Sequence, residues 1–384
     1  MAKVKFGNVV KEYKGKIDQK NNPYEFYVAG DHMDTDDLTI RRRGRFATDD
    51  VGPAFIREFK KGQVLYGSRR TYLRKIAVAD FDGVTANTTF VLETKDESIL
   101  RQRLLPFIMY TESFTEWSIK KSKGSTNPYV LFKDLADYEF ELPDIGKQDE
   151  LVELLWSMID TRDAYNNLIV SIDELVKSQF IERFEGQGYA VVKAKTFMTN
   201  MRNGVSPSKK GLHAEKVLTL SAVTQGAFDP EAWKDGIFDE CPPADKRIHT
   251  SEFYMCRGNG NKMLVGTAVF SPEDHDDLVF PDTVIAAHID SNIILLPYLF
   301  VAWKMPSVRK QIEENARTTN GTYKINQTVL SNIELIVPPL EKQNEFVSFV
   351  EQSDKSKLSV QNKLSAFRRL TYRILQFEGG LRNV

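Results

Sequence analysis

Phe140-Glu141-Leu142-Pro143, followed by Lys147-Gln148-Asp149-Glu150 and a leucine-rich stretch, returns as Leu335-Ile336-Val337-Pro338, followed by Lys342-Gln343-Asn344-Glu345 and a second long amphipathic stretch. The paired prolines, lysines and glutamines all lie 195 positions apart. Heptad phase repeats at the same offset, with Leu151, Met158, Tyr165, Ile172 and Gln179 matching Phe346, Ser353, Val360, Phe367 and Ile374. A repeat this long, each copy a globular stretch followed by a helix, is too large for a solenoid module. It predicts an α+β chain of two pseudo-twofold-related α/β domains joined by two long antiparallel coiled-coil helices.

Working outward, 384 residues suffice for two domains that each bury a core. The composition, 41% hydrophobic and 27% charged, is that of a folded globular protein rather than a disordered or fibrous one. No run of about 18 apolar residues occurs, and Met1-Ala2-Lys3-Val4-Lys5-Phe6 has the alternation of a strand rather than a leader. The expectation is a cytoplasmic protein. Cys241 and Cys256 lack a CxxC spacing or a nearby histidine set, which argues against a zinc site or a disulfide framework.

The net charge of −1 conceals an uneven distribution: +3 for residues 1–143, −6 for 144–182, −1 for 183–338 and +3 for 339–384. An acidic and a basic helical segment in one chain favour pairing through flanking charges. Apolar residues recur at helical spacing from Gln148 to about Arg183 and from Asn344 to about Phe377. Leu151, Leu155, Met158, Tyr165 and Ile172 are the candidate interface on the first helix, and Phe346, Val350, Val360, Leu364 and Phe367 on the second. At 1.5 Å per residue each helix is roughly 50 Å long, too long for the face of one small domain. Gln63–Tyr66, Lys75–Ala79, Thr88–Leu92, Met263–Phe270 and Thr283–Ala287 read as strands, and Ile99–Phe114 and Ile294–Asn315 as helices.

Several strings suggest catalysis and do not sustain it. Phe184-Glu185-Gly186-Gln187-Gly188 has the FxGxG form of S-adenosylmethionine sites, but it follows a long helix instead of a strand and reads as a glycine stop. Asn22-Pro23-Tyr24 and Asn127-Pro128-Tyr129 lack the second proline of the amino-methyltransferase motif, and Gly258-Asn259-Gly260-Asn261-Lys262 lacks P-loop spacing. Pro143-Asp144 and Pro281-Asp282 are not followed by a fitting nuclease Asp/Glu-x-Lys. The acidic loop around His275 reads as solvated rather than as a metal site. No catalytic constellation emerges.

What remains is a set of basic, polar, glycine-punctuated loops in equivalent places of the two domains. The first domain offers Arg41 and Arg43, then Arg69, Arg70, Tyr72 and Arg74, then Lys121, Lys123 and Ser125. The second offers Arg202, Asn203, Ser206, Lys209 and Lys210, then Arg257, Asn259, Asn261 and Lys262, then Arg317, Asn320 and Tyr323. Lysine and hydroxyl groups suit phosphates, while Arg and Asn can bond guanine and adenine edges bidentately. Singly, each is an ordinary solvated loop. Six in paired positions favour contact with DNA.

Val337-Pro338-Pro339-Leu340-Glu341-Lys342-Gln343 resembles the boundary between a target-recognition domain and a conserved helix in the specificity subunit of type I restriction-modification systems. Arg202–Lys209, Leu218–Thr224, and Arg257–Asn259 with Leu264–Gly266 resemble the start and middle of such domains, as do Tyr27–Met33 and Gly67–Lys75 in the first half. The resemblance implies a target-recognition domain in residues 1–143, a spacer helix in 144–183, a second recognition domain in 184–338 and a second helix in 339–384. The first copy departs from the motif at Pro143-Asp144-Ile145-Gly146. It further implies a non-catalytic subunit that reads double-stranded DNA as a bipartite site. Its partners would be two methyltransferase subunits and, where present, two restriction subunits, with no membrane association. S-adenosylmethionine would belong to the methyltransferase and ATP with Mg to the endonuclease, none of them to this chain. Helices of roughly 50 Å correspond to about 15 base pairs between half-sites. The alternatives are a type IIB-like specificity subunit, a self-contained DNA adenine methyltransferase and a coiled-coil scaffold.

Overall fold

The structure is a computed structural model that describes residues 2–208, 210–319 and 321–377. The chain divides into two compact units, Met1–Asn166 with Gln361–Val384, and Asn167–Val360.

In the first unit the strands are β1 (Ala2–Lys5), β2 (Val10–Glu12), β3 (Phe26–Val28), β4 (Gly44–Arg45), β5 (Phe55–Phe59), β6 (Val64–Gly67), β7 (Ile76–Val78), β8 (Gly83–Ala86), β9 (Thr89–Thr94) and β10 (Glu139–Leu142). They form a β1-β10 pair, a sheet of order β2-β9-β6-β7 and a sheet of order β4-β3-β8-β5. Phe6, Phe107, Phe114 and Phe140 centre the main core, which also takes in Leu151, Leu155 and Met158 from a long helix, Ile145–Phe184. Three buried apolar side chains at heptad-related positions fix that helix to its own domain, each contributing about 1.5–3 kcal/mol. Phe367, from the second long helix Leu340–Phe377, packs on the same core, and Leu364 is buried.

The second unit continues with β11 (Val191–Lys193), β12 (Met198–Asn203), β13 (His213–Leu218), β14 (Trp233–Phe238), β15 (Arg247–Ile248), β16 (Glu252–Cys256), β17 (Gly258–Asn259), β18 (Ala268–Val269), β19 (His275–Val279), β20 (Val284–Ile289), β21 (Arg317–Thr319), β22 (Thr322–Lys324) and β23 (Glu334–Ile336). Its β11-β23 pair and its sheets β12-β20-β16-β18 and β14-β13-β19-β15 reproduce the first unit's orders strand for strand. The parallel pairing falls in the same place too, β3 beside β8 and β13 beside β19. Phe346 and Val350 enter a core with Phe180, Phe184, Phe253 and Tyr298. Within this unit the two long helices run antiparallel, since Phe346 meets Phe180 and Phe184 while Lys357 bonds Asp173 at 2.7 and 2.8 Å. Val360 is buried; Ile172, and Tyr165 in the first unit, are half-buried.

The duplicated glutamines explain the repeated motif. Gln148 accepts from the Arg101 N–H at 3.0 Å and donates to the carbonyls of Ile99 and Pro143, both at 2.9 Å. Gln343 accepts from the Leu295 N–H at 2.8 Å and donates to Ile293 at 2.9 Å and Pro338 at 2.8 Å. Both side chains are buried with three bonds each, so the fold tolerates their burial. Where the first copy lacks the second proline, Asp144 accepts from the Lys147 N–H at 3.0 Å and serves as the helix cap.

Three expected elements differ. The helix expected over Ile99–Phe114 is split into Gln102–Leu104, Leu105–Met109 and Glu112–Lys121, because Thr111 is extended and caps the last segment. The helix expected over Ile294–Asn315 breaks into Leu296–Ala302 and Pro306–Asn315, with Pro306 holding Met305 extended. Met263–Phe270 is not one strand: Lys262–Leu264 forms a 3-10 turn, Gly266 adopts φ +68°, and the strand is confined to β18. Phe184 ends its helix before Gly186 and Gly188, both left-handed, as a glycine stop requires. Among the described residues no helix is long and apolar enough to cross a membrane.

Candidate nucleic-acid interface

In each unit the loop after the sheet's third-ranked strand is pinned beside a second basic loop. In the first unit, Arg69 bridges to Tyr129, Tyr129 pairs with Lys123 in both directions at 2.8 and 2.9 Å, and the Arg70 N–H reaches the Pro128 carbonyl at 2.7 Å. In the second, β17 pairs with β22, which pairs with β21, and the Ile325 N–H reaches the Arg257 carbonyl at 2.9 Å. Two of three candidate loops are thereby joined in each unit. Arg69, Arg70, Lys123, Ser125, Asn261, Lys262 and Arg317 are exposed there, and Lys121, Arg257, Asn259 and Tyr323 are half-buried. Arg69 lies 5.7 Å over the Tyr129 ring and Lys121 lies 4.8 Å over Trp117, so both cations are braced without a carboxylate. Lys123 does carry one, Asp134 at 2.9 Å.

Other candidates hold the fold. Arg202 is only 9% exposed and bonds both Glu252 oxygens, at 2.6 and 2.8 Å, and the Asp245 carbonyl at 2.7 Å. Its neighbour Asn203 accepts from Gln327 at 3.1 Å. Gly204 is required by close approach, since a Cβ there would sit 2.1 Å from the Phe280 carbonyl oxygen. Arg74 is held by Asp36 at 2.6 Å and the Tyr110 carbonyl at 2.8 Å. Arg41 joins Asp37 at 2.5 Å and Asp163 at 2.6 Å, with Arg162 on the same Asp37 at 2.6 Å. Burial alone would raise the Asp163 carboxyl, yet the bond from Arg41 and the charge of Arg162 hold it below the ordinary range. Arg43 stacks 3.8 Å over Phe26. Arg202, Arg74 and Arg41 are thus engaged with carboxylates of their own unit, a role their motif positions did not reveal, whereas Arg43 is exposed like Arg69. Ser206 and Lys210 are exposed; Lys209 and Asn320 lie outside the described residues.

Sequence reasoning missed Met263, placed in a strand, although it stands 60% exposed within the second unit's loop. Its signal was positional: it follows β16 as Tyr72 follows β6. It also missed Arg309, whose guanidinium grips the Met263 and Val265 carbonyls at 3.0 and 3.1 Å. The acidic loop around His275 is occupied by protein partners: Asp274 accepts from the Thr250 N–H at 2.7 Å and Asp277 binds Lys216 at 2.7 Å. Among the described residues no group of three or more His, Cys, Asp or Glu could hold a metal ion.

Fold and loops together define a duplicated α/β protein that displays cations on the same loop in each copy. Residues 3–174 match the model of the type I restriction modification DNA specificity domain. The chain is 25% identical over 311 residues to the type I restriction enzyme EcoKI specificity subunit of Escherichia coli (strain K12), covering 72% of this chain and 66% of that one. It is 29% identical over 300 residues to the StySPI specificity subunit of Salmonella potsdam, covering 69% and 63%. The match therefore spans slightly less than two thirds of these relatives' own length. Among solved structures, the type I restriction-modification S subunit from M. genitalium superposes with a TM-score of 0.53 at 14% identity, over 100% of this chain and 96% of the other, a likeness of fold. Over residues 3–174 the chain is thus similar to the DNA specificity domain of type I restriction-modification systems, and over about 70% of its length to their specificity subunits.

Proposed function

We propose that this chain is the address subunit of a DNA-modifying complex: each α/β domain reads one half of a bipartite site, and the long helices set the spacing and dock methyltransferase subunits. The two domains, residues 1–143 and 184–338, stand in pseudo-twofold relation through the helices of 144–183 and 339–384. The chain is non-catalytic and binds no cofactor, and it works in the cytoplasm on double-stranded DNA. S-adenosylmethionine belongs to the methyltransferase partner. The observation that carries this reading is the strand-for-strand repetition of one domain, with exposed cations on the same loop in each copy, Arg69 and Arg70 in the first and Lys262 in the second. Two readers in one chain fit two half-sites of different sequence, because their loop residues differ while their scaffold does not.

Single-molecule sequencing of adenine methylation tests it, in cells expressing the chain with its methyltransferase against the methyltransferase alone. The expected result is a chain-dependent mark on a two-part motif with a fixed unspecified gap. Absence of any chain-dependent mark, with both proteins soluble and associated, overturns the reading.

A further inference from the structure

Each unit turns one large apolar side chain outward from a short, tightly held loop at the same place in its fold. In the first unit it is Tyr72, 53% exposed, the middle residue of the 3-10 turn Thr71–Leu73 between β6 and β7. In the second it is Met263, 60% exposed, the middle residue of Lys262–Leu264 between β16 and β18. The two loops are clamped by different chemistry. Around Tyr72, Arg70 and Arg74 adopt φ of 51° and 47°, which arginine rarely does unless its surroundings enforce it. Those surroundings are the Pro128 carbonyl on the Arg70 N–H and the buried Thr71 hydroxyl 3.1 Å from Ser122. Around Met263, the Asn261 carboxamide accepts from the Met263 N–H at 3.0 Å while Arg309 holds the Met263 carbonyl.

The outcome is common to both: an immobilised backbone, and an apolar side chain standing in water. Cations flank each one, Arg69 and Arg70 in the first unit and Arg257 and Lys262 in the second. Among the described residues, Arg69, Arg70 and Lys262 have no carboxylate partner, while Arg257 faces the Asp282 carboxylate at 4.0 Å. An apolar projection beside free cations fits DNA, whose phosphates take the cations while its stacked bases admit the projection. An isolated protein–protein contact would explain the apolar group but not the unpaired charge beside it.

We infer that Tyr72 and Met263 are DNA wedges. Each enters the base stack of its own half-site and occupies the space left when the target adenine is turned out for methylation. A base turned out of the stack forfeits stacking and pairing, and a wedge offsets that loss. Tyrosine supplies a flat stacking surface, and methionine an unbranched thioether that adapts to an irregular gap. The inference rests on the DNA-reading function proposed above.

The test uses the complex with its methyltransferase on a duplex carrying the bipartite site, scoring the adenine of each half separately. Tyr72→Ala should slow methylation at one half-site by about tenfold or more and leave the other nearly unchanged, and Met263→Ala should do the reverse. A mismatch opposite the target adenine, which is already unpaired, should restore each variant to near the wild-type rate. Tyr72→Phe and Met263→Leu should retain activity. Equal losses at both halves, no rescue by the mismatch, or loss of the complex on size-exclusion chromatography would overturn the wedge. Failure of the wild-type complex to mark a two-part site would instead overturn the DNA-reading function.

Discussion

In the second unit a guanidinium and a carboxylate are buried together. Arg202 and Glu252 are 9% and 5% exposed, with the Tyr254 hydroxyl 3.2 Å from the same carboxylate. In the first unit a carboxylate cluster on β5 is only partly buried: Glu58, about one-fifth exposed, receives the hydroxyls of Tyr13 and Tyr24 and pairs with Lys60 at 3.0 Å. The sheets around them have the same strand order. A shared scaffold therefore does not dictate its polar interior. Of these two clusters, that of the second unit is a desolvated ion pair that must be complete to be tolerated, and that of the first is a carboxylate, held by hydroxyl bonds, that water also reaches.

The largest effect should come from breaking the buried pair. Arg202→Met leaves the Glu252 carboxylate buried without its cation and should cost about 3–5 kcal/mol. The double variant Arg202→Met with Glu252→Leu should recover most of that loss, because the pair's mutual attraction largely serves to offset its own desolvation. Denaturant unfolding of the single and double variants measures both. A double variant as unstable as the single one would show that Arg202's bonds to the Asp245 and Asn200 carbonyls matter more than its pairing with Glu252.

Next in size are the glutamines, where the units are alike. Gln148→Leu and Gln343→Leu each abandon one backbone N–H and two carbonyls, and each should cost about 1–3 kcal/mol. Their matching geometry sharpens the comparison: the two costs should agree within about 0.5 kcal/mol when measured in the same full chain. A wide disagreement would mean that the repeated motif conceals different local packing in the two units.

The sequence reveals these glutamines and hides the ion pairs for a physical reason. Gln148 and Gln343 belong to contiguous motifs, and the spacing from proline to glutamine to the apolar heptads carries the whole signal. Arg202 sits in an equally conspicuous basic motif, but its partner Glu252 is 50 positions away across a sheet, so the sequence displays a free cation where the fold has a neutralised one. Arg41 misleads in the same way, being bound to Asp163 from 122 positions away. The split helices were hidden because Thr111 and Pro306 interrupt apolar patterns that continue on both sides. Met263 was hidden because an apolar run resembles a strand whether or not a cap such as Asn261 curls its first turn.

The smallest effect belongs to the solvated cluster, and its pH dependence identifies it. Bonds from Tyr13 first, then Tyr24, hold the Glu58 carboxyl down to about 2 from an ordinary 4.5, and the same bond pushes the Tyr13 phenol up to about 12. A carboxyl depressed in the folded state adds stability that is complete above its unfolded value and vanishes as pH falls through its folded value. Glu58→Gln should therefore cost about 1–2 kcal/mol at pH 7, discounted for the side chain's exposure. That cost should shrink as pH falls from about 4.5 and be gone near pH 2, in urea titrations of both proteins across that range. Parallel curves for Glu58→Gln at every pH would mean that the tyrosine hydroxyls bond the amide as well as they bond the carboxylate, and that the cluster's charge contributes nothing to the first unit.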